Sequence, residues 1–237
     1  GGGGKTSIMF ALAGELAAAG GSVVTTTTTK IFEPLPAETP LVMVAKDEAE
    51  LLSRCLESLP RYRHITLATE WLASGKLAGI SPGLVERLAG IAAVSQVIVE
   101  ADGAARRPLK APNDTEPVIP GNTTLVVAVV GVDAVGSPLD EENVFRAGIA
   151  ARLLGLSPGS ALTPAAIATL ITHRQGITKG SPQNARIIPF INKVDRDRGL
   201  ERGRELAREI MAAGHPAIKY VLLGQARSAE PVVETVS

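Results

Sequence analysis

The segment Gly1-Gly2-Gly3-Gly4-Lys5-Thr6-Ser7 constrains the fold more than any other stretch of this chain. It matches the back end of the phosphate-loop pattern G-x-x-x-x-G-K-[ST], with the last three positions on Gly4, Lys5 and Thr6. Glycines let successive backbone N–H groups turn inward around phosphate oxygens, and the following helix adds the partial positive charge of its N-terminus. Lys5 is suited to neutralise β- and γ-phosphates, and the Thr6 hydroxyl to ligate Mg²⁺. Gly2, Gly3, Gly4 and Ser7 complete the cradle. An apolar helical pattern (Ile8, Met9, Leu12, Leu16) follows at once, which is not how a flexible glycine linker continues. Such a loop sits between a buried strand and a helix. The expected fold is therefore α/β, a mostly parallel sheet flanked by helices, read as one phosphate-loop domain over residues 1–237. The motif begins part-way through, so a strand of about five to ten apolar residues is expected before Gly1.

Composition agrees with that architecture. Apolar residues make up 45% of the 237 positions and aromatic residues only 3%, so the core must be built from Ala, Val, Leu and Ile. That mixture suits Ala-rich helices on β-branched parallel strands. The formal net charge is zero and no basic stripe is visible, which removes support for nucleic-acid binding and for membrane-surface attraction. No apolar run approaches a membrane span. Cys55 is the single cysteine, so an intramolecular disulfide is excluded and a reducing, cytoplasmic location is expected.

Along the chain, residues 6–19 read as a helix and 22–29 as a β-branched strand containing five threonines. Residues 32–40 read as a proline-rich loop and 41–44 as a short strand. A helix capped by Asp47 runs to about Leu59, then a short strand over 64–68, a turn over 75–80 and a helix opened by Ser81-Pro82. Three apolar strands end in polar residues: 94–100 in Glu100-Ala101-Asp102-Gly103, 125–130 in Gly131-Val132-Asp133, and 187–191 in Asn192-Lys193-Val194-Asp195. Helices are expected over 143–154, 164–172 and 201–213, and a last strand over 217–223. In parallel α/β sheets, function collects beyond the carboxyl ends of strands.

Asn192-Lys193-Val194-Asp195 has the form N-K-x-D. An Asp carboxylate can accept from both N1–H and the exocyclic amine of guanine, a pair that adenine does not offer. Asn192 would orient the loop and the Lys193 stem would lie along the base. The same four residues also fit a strand turning into a solvated charged helix, since Arg196, Asp197 and Arg198 follow. GTP with Mg²⁺ is the expected ligand, with ATP as the alternative. Glu100 and Asp102 are the acidic pair where phosphate-loop enzymes hold Mg²⁺ or orient water. Asp102 is assigned to the Mg²⁺ shell and Glu100 to water, roles that can be exchanged; their spacing would put them on one side of a strand. A structural ion pair for Glu100 is the competing reading. Thr28 or Thr29, with Lys30, could sense a γ-phosphate, or the threonines could serve β-propensity alone. The basic run Arg106–Lys110 fits either a charge-stabilising role or a proline-stiffened exposed loop. His64, His173 and His215 are scattered, and no Cys/His cluster for a transition metal is visible.

These motifs, in this order, resemble the SIMIBI branch of phosphate-loop proteins. At finer grain the chain resembles the YqeC family, described as selenium-dependent hydroxylase accessory proteins. The resemblance rests on residues 3–7 (Gly-Gly-Lys-Thr-Ser), 26–30 (Thr-Thr-Thr-Thr-Lys), 75–80 (Gly-Lys-Leu-Ala-Gly-Ile), 99–104 (Val-Glu-Ala-Asp-Gly-Ala), 108–112 (Pro-Leu-Lys-Ala-Pro), 116–120 (Glu-Pro-Val-Ile-Pro) and 192–195. It implies a role in maturing a molybdenum hydroxylase or its labile selenium cofactor, with that client as protein partner. The expected activity is slow GTP hydrolysis. Two rivals remain: a small-molecule kinase or ligase with an acceptor site near residues 32–59 and 106–110, and a module that binds nucleotide without turnover.

Overall fold

The computed structural model describes residues 3–237; the phosphate-loop role expected of Gly2 and the strand expected before Gly1 lie outside them. The described residues form two compact units, and the chain passes between them at 5/6, 103/104, 117/118 and 122/123.

The first unit holds residues 6–103 and 118–122. In chain order it carries α1 (Lys5–Ala18, from Thr6 onward), β1 (Val23–Thr27), β2 (Lys30–Phe32), β3 (Val42–Val44), α2 (Glu48–Tyr62), β4 (His64–Ala68), β5 (Glu70–Trp71), β6 (Lys76–Ala78), α3 (Pro82–Ala89) and β7 (Gln96–Glu100). The sheet runs β3-β4-β1-β7, all parallel. Every residue of β1 is buried, as a strand paired on both sides and covered on both faces requires. Leu51, Cys55 and Leu59 of α2 and Leu84 and Leu88 of α3 pack with Val24, Ile65 and Leu67. The helix starts were written in the sequence. Asp47 accepts from the Glu50 amide at 2.8 Å, and Ser81 from the Leu84 amide at 3.1 Å.

Residues 75–80, read as a turn, instead supply β6, the middle strand of a small antiparallel sheet β2-β6-β5. Only Leu77 of its three residues is buried, so the alternation is too short to separate a strand from a turn between two glycines.

The second unit holds residues 3–5, 104–117 and 123–237. It carries β8 (Leu109–Lys110), β9 (Leu125–Gly131), β10 (Val144–Phe145), α4 (Ala147–Leu154), α5 (Pro164–Thr172), β11 (Arg186–Asn192), α6 (Gly199–Ala212), β12 (Val221–Gly224) and β13 (Val232–Val236). The main sheet runs β13-β12-β11-β9. β9 and β11 pair in parallel register from Leu125 opposite Arg186 to Gly131 opposite Asn192. Ile167, Leu170 and Ile171 of α5 and Leu206 and Ile210 of α6 pack with Val130, Ile191 and Leu223 to make a dry aliphatic core. β13 was not foreseen. It runs antiparallel to β12 on the outer edge, where Arg204 of α6 holds Glu234 through Nε at 3.0 Å and NH2 at 2.8 Å. The protein is thus α/β with a mostly parallel sheet flanked by helices in each unit. Among the described residues no helix is long and apolar enough to cross a membrane.

Candidate functional site

In the second unit, Gly3 and Gly4 of the glycine-rich segment stand where side chains would be crowded. Gly4 adopts φ +103°, and a Cβ there would collide with the side-chain amide of Asn192. A Cβ on Gly3 would lie 3.2 Å from the carbonyl oxygens of both Pro108 and Val129. Asn192, 5% exposed at the end of β11, explains the close approach. Its Nδ2 donates to the Gly3 carbonyl at 2.9 Å, and its Oδ1 accepts from the Ala226 amide at 2.8 Å. One side chain thereby ties the glycine-rich segment to the loop after β12. Lys193 follows in the left-handed region at φ 69°. Its Nζ donates to Asp133 Oδ2 at 2.6 Å, with Arg196 NH1 3.8 Å from the same oxygen. Asp195 lies exposed in the turn that comes next. Lys5 is half-buried at the first position of α1.

The basic run is largely engaged in internal contacts. Arg107 donates to the Glu141 carbonyl and to the Ala105 carbonyl, each at 2.8 Å. Lys110, 4% exposed, and Arg146 both donate to Glu116 Oε2, at 2.6 and 2.8 Å. Burial alone would raise the Glu116 pKa, but the hydrogen bonds and charges of Lys110 and Arg146 outweigh it and hold it below the ordinary value.

In the first unit, the Thr6 hydroxyl donates to Glu100 Oε2 at 2.5 Å, and Glu100 is 6% exposed at the end of β7. Ser7 is half-buried in the first turn of α1. Because β7 stops at Glu100, the strand alternation invoked for Glu100 and Asp102 does not extend to Asp102, which lies in the irregular segment beyond. Glu100 is an acid joined to the Thr6 hydroxyl. The threonine run divides. Thr25 bonds to Thr66 and His64, Thr26 to the Leu67 carbonyl, Thr27 to the Glu100 carbonyl and Thr28 to the Val118 carbonyl. Thr29 is half-buried, with its Oγ1 3.2 Å from that of Thr27, and Lys30 opens β2 with its side chain exposed. His64 is 3% exposed, and burial lowers its pKa to about 4.

A Mg²⁺ ion bound through nucleotide takes most of its ligands from phosphates and water, and needs only a hydroxyl and a carboxylate from protein. The Thr6–Glu100 pair fits that demand. Among the described residues no group of three His, Cys, Asp or Glu could hold a metal ion by itself. Two residues of the site were missed in the sequence. The Ala226 amide carries no side-chain signal, although Gly224 at a strand end, level with Asn192 in the β11–β12 register, marks the loop. Asp133 was visible only as the polar end of an apolar strand.

The family model described as "YqeC protein" matches residues 1–148. The chain belongs to the YqeC family. A YqeC relative, the "Uncharacterized protein YqeC" of Escherichia coli (strain K12), is 37% identical over 194 residues, covering 81% of this chain and 73% of that protein. No solved structure matches the chain. The YqeC match includes the N-terminal glycines, Lys5, Thr6, Glu100 and Asp102, whereas Asn192 and Asp195 lie beyond residue 148.

Proposed function

We propose that this protein binds GTP with Mg²⁺ and hydrolyses it slowly, as an accessory protein in maturing a selenium-dependent molybdenum hydroxylase or its cofactor. The observation that carries the nucleotide reading is the double hydrogen bond of Asn192 to Gly3 and Ala226. A phosphate-loop glycine and the N-K-x-D segment are 189 residues apart in sequence, yet one amide joins them.

The residues divide the work. The loop N–H groups and Lys5 bind phosphate. Thr6 and Glu100 supply the hydroxyl and carboxylate for Mg²⁺, which would neutralise charge on the phosphates when bound. Asp102 is then left to orient water, the exchange of roles that the sequence allowed. Asn192 holds the base loop, and the exposed Asp195 carboxylate is open to N1–H and the amine of guanine. The client assignment comes from the resemblance carried by the sequence motifs, not from the geometry.

Calorimetry tests the nucleotide reading. Wild-type protein is expected to bind GTP in preference to ATP, and Lys5→Ala to weaken GTP at least a hundredfold while the chain stays folded, since Lys5 acts as a point charge rather than a core residue. A preference for ATP, or full affinity in Lys5→Ala, overturns it.

A further inference from the structure

The two oxygens of Asp133 are in unlike states. Oδ2 accepts from Lys193 at 2.6 Å. Oδ1 is buried and has no hydrogen-bond partner, the one such side-chain atom found among the described residues. Carboxylates elsewhere in this unit are not left so. Glu201 takes Arg198 on both oxygens, and Glu234 takes Arg204 on both. A buried acceptor without a donor is unfavourable, and one that persists in a folded protein calls for a reason.

The surroundings supply one. Asp133 stands in the turn just after β9, over Gly131, where a Cβ would collide with Oδ1 and lie 3.3 Å from Lys193 Nζ. Gly131 is bare, and the carboxylate and ammonium occupy the space its side chain would fill. Gly131 is opposite Asn192 in the β9–β11 register, and its amide lies 3.5 Å from the position of a Cβ on the phosphate-loop residue Gly3. The orphan oxygen is therefore in the neighbourhood of the loop and of the base-reading segment together. Its partner must be a donor, either an ordered water or a group of a bound ligand. A second cation is not called for, because Lys193 already neutralises the charge. A phosphate offers only acceptors and negative charge. Of the parts of a nucleotide, the base and the sugar alone carry N–H or O–H groups.

We propose that Asp133 is a ligand-reading residue: its Oδ1 accepts a hydrogen bond from the exocyclic amine or a ribose hydroxyl of the bound nucleoside while Oδ2 fixes Lys193. The inference rests on the guanine-nucleotide reading above. It adds a specificity determinant outside the N-K-x-D segment.

The test is a binding panel on the full chain: GTP, inosine triphosphate (no exocyclic amine), and 2′-deoxy- and 3′-deoxy-GTP, each against wild type, Asp133→Ala and Lys193→Met. Asp133→Ala is expected to weaken GTP about tenfold or more, and to cost nothing further for the analogue that lacks the relevant donor. The inosine arm identifies a base amine and the deoxy arms a sugar hydroxyl. Lys193→Met separates loss of the ion pair from loss of the acceptor, since it keeps Oδ1. An equal loss for all four nucleotides in Asp133→Ala, matched by Lys193→Met, overturns the proposal and leaves Asp133 a support for Lys193. Should Asp133→Ala fail to fold, Asp133→Asn, which keeps the shape and one acceptor for Lys193, takes its place, and an equal loss for all four ligands overturns the proposal. Absence of GTP binding in wild type overturns the nucleotide reading as well, and so is distinguishable from failure of this step alone.

Discussion

The two four-stranded sheets handle buried polarity in opposite ways. In the first unit, β1 places Thr25, Thr26 and Thr27 in a fully buried strand, and each hydroxyl finds a partner on β4 or β7. Such a network is closed: every donor and acceptor is matched within the protein, and it acts as structure. In the second unit the corresponding strands are aliphatic. Polarity is confined to the strand ends, where Asn192 reaches two loops and Asp133 Oδ1 reaches none. A closed polar network stabilises and specifies packing, whereas an open valence calls for an explanation, here the ligand-reading role proposed for Asp133.

Substitutions should separate the two regions. The largest effect is expected from Asn192→Ala, which orphans the Gly3 carbonyl and the Ala226 amide at once. It should cost about 2–4 kcal/mol of stability and lower GTP affinity by about a hundredfold, read by chemical denaturation and calorimetry. An unchanged affinity would put Asn192 with the closed network.

The next effect belongs to the first unit and is read by pH. Burial depresses the His64 pKa from 6.5 to about 4, so the unfolded chain binds a proton that the folded one refuses. Stability from this group is complete above about pH 6.5 and falls as pH drops toward 4, by roughly 3 kcal/mol in all. His64→Gln should flatten that part of the stability–pH curve while leaving GTP affinity unaltered. A curve as steep as that of wild type would show that other groups carry the dependence.

Smallest is Thr25→Val, an isosteric swap that removes one hydroxyl bridging His64 and Thr66. A loss of about 1–2 kcal/mol in denaturant titration is expected, with nucleotide binding untouched. A change in affinity instead would mean that the hydroxyl network is coupled to the site.

The division between closed and open polarity also explains what could be read in the sequence. Strands such as 125–131 and 186–192 were legible because fully covered parallel strands are continuous apolar runs. Helix starts at Asp47 and Ser81 were legible because capping is a local event. β6 and β13 were not. Three residues around Leu77 carry no usable period, and Val232–Val236 is an edge strand whose place depends on Arg204, some thirty residues earlier. Of the candidate site, Gly4, Lys5, Thr6 and Asn192 were marked by spacing. That Asp102 lies off the strand carrying Glu100 turned on where β7 ends. The contribution of Ala226 is a backbone N–H, and that of Asp133 an absence of partner, and neither has a residue-type signal. The threonine run was half legible: β-propensity accounts for β1, but Thr28 bonds to a carbonyl 90 residues away.

The reversed direction of β13 bears on self-association. A stack of parallel aliphatic strands invites further strands at its rim and, with them, fibril-like growth between copies. Here one rim is finished by a five-residue strand running the other way, with a register irregularity at Leu223/Gly224 and a guanidinium–carboxylate fork locking Glu234 beside it. Short, bulged and charge-bearing strands are poor templates for an incoming chain. The last strand therefore protects the colloidal behaviour of a sheet whose interior sequence would otherwise be a hazard in solution.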